Sequence, residues 1–344
     1  MEKIIIRAGA GNSEILIGEK WMNVESFLPE SDVIIITDEN VFSLYGKQFP
    51  SFPVLRIKPG EESKNLMIIG ELAEKMLQSG IDRSGMILAI GGGVVCDIAG
   101  FLASIYMRGI RCGYISTTLL AQVDASTGGK NGVDLGGAKN ILGCFSQPEF
   151  VICDTSMLST LSEEEYFSGL AELIKTAIIG DRELFEMLEK HHSDIMDRNP
   201  SLMEILVAKA VKFKSAVVTE DEKEKGLRRI LNFGHTFGHA IEMHRQVRHG
   251  FAVAEGMVLS TRFSKEKELI SEKEMFRIID LIEQYGFTFK NPVPAEAVEN
   301  LIHHDKKRSG REINFVFASG IGNAVYDKIS VEEIMNFYKR NISR

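Results

Sequence analysis

Along the first half of the chain, short runs of β-branched and other apolar residues alternate with stretches whose apolar positions recur every three or four residues. Val33–Thr37, Met86–Ile90, Gly113–Thr117 and Phe150–Cys153 read as buried strands, with Met67–Leu77 and Asp97–Tyr106 as helices between them. Strands and helices alternating in this order predict an open α/β sheet. After about residue 155 the texture changes. Amphipathic periodicity runs through Ser162–Val218, Arg228–His244 and Ala252–Tyr285, and Ile313–Phe317 is a late strand. The pattern predicts two domains, an α/β nucleotide-binding part over residues 1–155 and a mainly helical part over 156–344. A length of 344 residues agrees, because single hydrophobic cores stop growing near that size.

Composition changes this picture little and narrows the partners. Net charge is −8, which argues against a general nucleic-acid binder but leaves room for an anionic small substrate held by local basic residues. No apolar stretch reaches the length of a membrane span. The N-terminal run is short and is broken by Arg7, unlike a secretory leader, so the expectation is a cytoplasmic protein. Cys96, Cys112, Cys144 and Cys153 form no CxxC pair, and their apolar neighbours suit reduced, mostly buried thiols.

Candidate chemistry gathers in four places. Arg228, Asn232, His235 and His239 are spaced i, i+4, i+7 and i+11, so one continuous helix would put them on one face. His235 and His239 have the spacing of two ligands to one metal, and Gly234 and Gly238 would let another element come close. His249 follows after a short polar break, and Glu172 shares a helix face with Lys175 in an apolar setting. One carboxylate with two imidazoles suits a catalytic zinc with an open position. Gly91-Gly92-Gly93 lies between a strand and a helix, where backbone N–H groups can meet a pyrophosphate. Finally, Gln122–Lys130 is a glycine-bearing loop without Walker spacing. With Arg108, Lys139 and Asn140 it makes a second candidate anion site.

These segments together resemble the 3-dehydroquinate synthases, from Thr37 to Lys307. The strings that carry the likeness are GGGVVCDIAGF, YMRGI, STTLLAQVDASTGGK, AKN, GLAELIK, DEKEKGLRRILNFGHTFGHAIE, HG and DKK, in that order. The resemblance implies a Rossmann-like NAD-binding sheet, a helical second domain and an active site in the cleft between them. It implies Glu172, His235 and His249 as zinc ligands, cobalt being a possible substitute, and moves His239 from ligand to substrate and proton handling. Arg108, Asp124, Lys130, Asn140, Lys175, Lys214, Glu224, Arg228, Asn232, His239 and one of Lys306 or Lys307 match the family's substrate pocket, which the metal ligands His235 and His249 border. Lys175, Glu224, Arg228, Asn232 and His239 are the catalytic candidates among them. Asp38, Asn40, Glu61, Lys64, Gly92, Gly93, Val94, Asp97, Thr117, Thr118, Lys130, Lys139 and Thr160 match its NAD contacts. The implied substrate is 3-deoxy-D-arabino-heptulosonate 7-phosphate, and the implied assembly is a homodimer. Lys214, Arg228, Asn232 and His239 occur together here, which favours a carboxylated substrate over those of related sugar phosphate cyclases. Phe251 departs from the family, which usually has Glu after the His-Gly pair.

Overall fold

The computed structural model describes residues 1–289, 293–306 and 312–342. The chain divides into two compact units, one of Met1–Leu161 with Met203–Lys223, the other of Ser162–Leu202 with Glu224–Arg344. The division after Leu161 lies a few residues past the expected 155/156. The return of residues 203–223 to the first unit corrects the single-boundary expectation.

The first unit is built on a seven-stranded sheet ordered β1-β2-β9-β6-β5-β3-β4. Its strands are β1 (Glu2–Ala8), β2 (Gly11–Ile17), β3 (Val33–Asp38), β4 (Val54–Ile57), β5 (Met86–Gly91), β6 (Arg111–Ser116) and β9 (Phe150–Cys153). β1 pairs with β2 as an antiparallel hairpin at one edge, and every other pairing is parallel. β5 is buried along its whole length and the first five residues of β3 are buried, as strands covered on both faces must be. Their side chains join Leu16, Trp21, Val24 and Ile152 in one core. Helices α1 (Glu39–Tyr45), α2 (Leu66–Gln78) and α3 (Gly93–Ile105) follow β3, β4 and β5. The parallel strands run 4-3-5-6-9, so the order reverses between β3 and β5. At such a switch point the strand C-termini leave a crevice for ligands.

Two elements of this unit escaped the periodicity. β7 (Lys130–Leu135) and β8 (Ala138–Phe145) form a separate hairpin, closed by Gly136 and Gly137 at φ 60° and 78°. Two consecutive positive φ values are what a tight two-residue hairpin turn requires. Cys144 on β8 is half-buried, and the other three thiols are buried.

In the second unit the apolar stretch from Ser162 resolves into α4 (Glu163–Gly180), α5 (Arg182–Lys190) and α6 (His192–Met196). α7 (Pro200–Glu220) carries the chain back into the first unit. Then come α8 (His235–Arg245), α9 (His249–Glu266), α10 (Glu272–Gln284), α11 (Ala295–Lys306), the antiparallel hairpin β10 (Glu312–Ala318) and β11 (Ala324–Ser330), and α12 (Val331–Ile342). Phe237, Phe263, Phe315, Phe317, Phe337 and Tyr338 pack into one aromatic core, with Phe263 stacked on Phe337 at 4.3 Å between centroids.

Candidate active site

The metal-type cluster of the second unit begins on α4. Ser162 caps this helix by accepting from Glu165 N, and Glu163, Glu164 and Glu165 in its first turn complement the helix dipole. Three turns in, Glu172 and Lys175 lie side by side, buried and ion-paired. Burial leaves both Glu172 oxygens without a well-aligned hydrogen bond. Lys175 offsets part of the cost of burying this carboxylate, and a metal cation at Oε1 would offset more of it.

Two imidazoles supply the rest. His235 Nε2 lies 3.8 Å and His249 Nε2 3.5 Å from Glu172 Oε1, and the ligand atoms of all three residues fall within 4.8 Å of one another. His235 Nδ1 faces the carbonyl of Phe233 at 3.1 Å. A carbonyl only accepts, so Nδ1 carries the proton and Nε2 keeps its lone pair for a metal. Burial, then the charges of Lys175 and the other histidines, hold the His235 pKa well below the usual histidine value. For His249, burial opposes the charge, but Glu172 and Glu242 outweigh it and push the pKa up to about 9. The donor set fits a zinc-type ion with one carboxylate and two nitrogens.

Glycines make this convergence possible. A Cβ on Gly256 of α9 would stand 2.0 Å from the Gly234 carbonyl oxygen and 2.7 Å from Gly238 N, so α8 and α9 cross with their backbones nearly touching. A Cβ on Gly250 would stand 2.4 Å from Ser168 Cα on α4, and Gly250 N donates to Ser168 Oγ at 3.1 Å. Together these contacts set His249 against Glu172. Phe251 turns into an aromatic cluster, 5.5 Å from Phe287 and 6.3 Å from Phe167.

The expected four-residue helix face is corrected here. Leu227–Asn232 is a 3-10 segment, and the chain then turns through Gly234 at φ 81° before α8 starts. Gly234 adopts the left-handed conformation, which a residue with a Cβ rarely takes, and it separates the Arg228 segment from α8. Arg228 is buried in that segment. Asn232 donates to Glu224 Oε1. His239 does lie on α8, exposed, with its ring 5.2 Å from His235 and 6.0 Å from His249. Lys307 lies outside the described residues, and α11 ends at Lys306.

The nucleotide-type set lies in the first unit. Asp38 ends β3 and caps α1 by accepting from Val41 N at 2.9 Å, with Asn40 in the same turn. Burial, partly offset by this cap, raises the Asp38 pKa. Gly92 follows β5 at the N-cap position and Gly93 opens α3, which has no side-chain cap. A Cβ on Gly92 would meet Thr118 at 2.8 Å and one on Gly93 would meet Ala125 at 3.2 Å, so a side chain at Gly92 would force Thr118 to move and one at Gly93 would be tight. Val94 follows in the first turn, half-buried like the two glycines. Thr117 and Thr118 follow the adjacent β6, and Thr117 Oγ1 is buried with no hydrogen-bond partner among the described residues. An uncapped helix N-terminus beside an orphaned hydroxyl, at the switch point of a parallel sheet, fits a dinucleotide.

Close by, Lys64 pairs with Asp97 at 2.5 Å and Glu61 at 3.6 Å. Burial raises the Asp97 pKa to about 6 in spite of the opposing pull of Lys64. Lys214 on α7 donates to the Asp124 carbonyl at 2.6 Å and ion-pairs with its carboxylate. The loop compared above with a phosphate site is in part structural. Gln122 is fully buried and donates to the carbonyls of Ser116 and Asp154 at 3.0 and 3.1 Å. Lys130, Lys139 and Asn140 are exposed on the β7–β8 hairpin, where Asn140 has φ 50°. Arg108 is exposed in a turn with Met107 and Gly109, all three at positive φ. Thr160 is exposed and hydrogen-bonded to the Tyr45 hydroxyl at 2.6 Å. Glu242 was missed from sequence, although its place three residues after His239 and seven after His235 puts it on the same helix face.

The chain is similar to known proteins over most of its length. Residues 54–168 match the family described as 3-dehydroquinate synthase N-terminal, and residues 169–308 match 3-dehydroquinate synthase C-terminal. A 3-dehydroquinate synthase of Alkaliphilus metalliredigens is 38% identical over 349 residues, covering 98% of each chain. Among solved structures, the 2-epi-5-epi-valiolone synthase of Streptomyces hygroscopicus subsp. jinggangensis, with NAD+ and Zn2+ bound, superposes with a TM-score of 0.88 at 28% identity over 96% of each chain. A 2-deoxy-scyllo-inosose synthase complexed with carbaglucose-6-phosphate, NAD+ and Co2+ gives 0.85 at 26% identity, covering 98% of this chain and 99% of that one.

Proposed function

The chain belongs to the 3-dehydroquinate synthase family, and from this premise we propose how its residues divide that family's work. The reaction converts 3-deoxy-D-arabino-heptulosonate 7-phosphate to 3-dehydroquinate and phosphate, a step of the shikimate pathway. It runs through transient oxidation, phosphate elimination, re-reduction and intramolecular aldol closure. Bound zinc or cobalt supplies a Lewis acid toward substrate oxygens, and NAD supplies a temporary hydride acceptor. Glu172, His235 and His249 hold the metal. The observation that carries this reading is the buried Glu172 carboxylate, ion-paired with Lys175 through one oxygen while two imidazole Nε2 atoms converge on the other.

Lys175 neutralises Glu172 and contributes an ammonium to the catalytic set. Arg228, Lys214, Lys130 and Arg108 bring the positive charge that a phosphate and a carboxylate require. Asp124 positions Lys214, Asn140 adds an amide, and the Glu224–Asn232 pair holds a substrate-facing amide in place. His239, exposed beside the ligands yet outside their set, moves protons. Asp38, Asn40, Glu61, Lys64, Gly92, Gly93, Val94, Asp97, Thr117, Thr118, Lys139 and Thr160 bind the dinucleotide. We place the enzyme in the cytoplasm, and the family resemblance implies a homodimer. No helix among the described residues is long and apolar enough to cross a membrane.

The test is turnover of the heptulosonate phosphate with NAD and zinc, following phosphate release and product identity together. Phosphate and 3-dehydroquinate are expected in equal amounts, without net NADH. Phosphate with a different carbocycle would assign another cyclase activity, and accumulating NADH a dehydrogenase. His235→Ala is expected to abolish zinc binding, whereas His239→Ala keeps zinc and loses on the order of 10²-fold or more in turnover. Equal zinc loss in both variants would overturn the ligand assignment.

A further inference from the structure

We propose that Glu242 is a positioning residue of the metal centre, fixing the ring of His249 so that Nε2 points at the metal. The inference rests on the ligand set proposed above and assigns a role to a side chain outside it. His235, His239 and Glu242 are spaced i, i+4 and i+7 on α8 and share one face. Glu242 is buried, and its Oε2 lies 3.1 Å from His249 Nδ1. A carboxylate accepts, so Nδ1 holds the hydrogen, and the other ring nitrogen faces Glu172 at 3.5 Å.

His235 obtains the same constraint from the Phe233 carbonyl. His249 Nδ1 meets the Glu242 side chain instead of a backbone carbonyl, and His249 is the more exposed of the two, its side chain 31% accessible against 13%. It opens α9, at a helix end where a ring swings more easily than in the interior. An anionic acceptor restrains the ring and makes the opposite nitrogen a better donor to a cation. α8 therefore supplies one ligand directly and orients the other, which arrives from α9.

His239, Glu242 and His249 also bring ligand atoms within 4.8 Å of one another, so Glu242 has a second conceivable role as a ligand itself. That arrangement would take His249 through Nδ1 and turn its metal-binding nitrogen away from Glu172, leaving the buried carboxylate uncompleted. The geometry favours orientation.

The experiment measures zinc affinity of the full chain, stripped by a chelator, in competition with a chromophoric chelator, and records the cobalt absorption spectrum. Glu242→Gln keeps an acceptor for Nδ1 without the charge, and should bind zinc on the order of 10-fold more weakly than the native chain. Glu242→Ala loses the acceptor and should fall on the order of 100-fold, with an altered cobalt spectrum that the Gln variant largely restores. Melting of the zinc-free Gln variant should match the native chain, which separates orientation from general packing. If the Ala variant fails to fold, the Gln variant alone decides.

Zinc affinity of Glu242→Gln within twofold of native would overturn the proposal. So would loss of zinc by His239→Ala as complete as by His235→Ala, since Glu242 would then be a ligand. A native chain that takes up no zinc would overturn the metal centre itself, a different failure from either.

Discussion

Protonation at single residues gives two predictions. In the metal-free protein burial opposes the charge on His249, but Glu172 and Glu242 push its pKa up to about 9, which favours a protonated ring at pH 7.5, whereas burial holds the His235 pKa well below the usual histidine value. Metal binding requires both rings unprotonated. Zinc uptake at pH 7.5 should therefore release about one proton rather than two, and apparent affinity should rise about tenfold per pH unit up to about pH 9. Calorimetry in buffers of different ionisation enthalpy counts the protons directly. For Asp97 the folded pKa of about 6 stands above its ordinary value because of burial, with Lys64 pulling the other way. Its contribution to stability is full below the unfolded pKa, near 4, and is lost as pH rises through about 6. Relative to Asp97→Asn, the native chain should lose stability across that window, by at most about 1.4 kcal/mol per pH unit. A pH-independent difference in melting temperature would contradict this.

At the level of elements, two glycines make opposite predictions. Gly256→Ala places a methyl 2.0 Å from the Gly234 carbonyl oxygen, so α8 and α9 must part. The expected cost is about 1–3 kcal/mol, with weaker zinc binding as His235 and His249 separate, both readable by denaturant and metal titration. Gly70 is exposed on α2 with nothing within 4 Å of an added Cβ, and Gly70→Ala should stabilise by about 0.5–1 kcal/mol. Elements with strong periodicity were legible in sequence. β3, β5, β6 and β9 were read at their places, and so was the glycine turn after β5. What escaped has physical reasons. β8 has Lys139 and Asn140 directly after its first residue, and no residue along it is fully buried, so it shows neither a buried apolar run over its length nor a period-two apolar pattern. The helix read from Arg228 fails at Gly234, because spacing alone does not distinguish a glycine that packs from one that turns the chain. At that point Gly234 does both. Arg228 and Asn232 were chosen for sharing a helix face with the histidines, a premise the structure removes; their assignment now rests on the family match. Lys214 and Glu224 came through the resemblance alone, since neither spacing nor periodicity singles them out.

For the molecule as a whole, the consequential feature is α7. From Met203 onward it belongs to the first unit, although it follows three helices of the second. Periodicity shows an amphipathic helix but not the core it serves, so a boundary drawn at a change of texture misassigns it. Leu206, Val207, Val211, Val217 and Val218 are buried on this helix. Each contributes about 1.5–3 kcal/mol by burial, which is comparable in sum to the whole stability of a typical domain. A chain ending at Leu161 should therefore fail to show cooperative unfolding by circular dichroism, even though it contains every strand of the large sheet. A sharp two-state transition in that fragment would show α7 to be dispensable.

The distribution of thiols gives the protein a built-in attachment point. Cys96, Cys112 and Cys153 are buried, and burial raises the pKa of each, so little reactive thiolate forms on them. Cys144 is half-buried on β8, four residues along the strand from Asn140, a span of about 13 Å. A maleimide fluorophore added to the native, unmutated chain should couple there first. Its emission would then report, in real time, what happens beside Lys139 and Asn140 when ligands arrive.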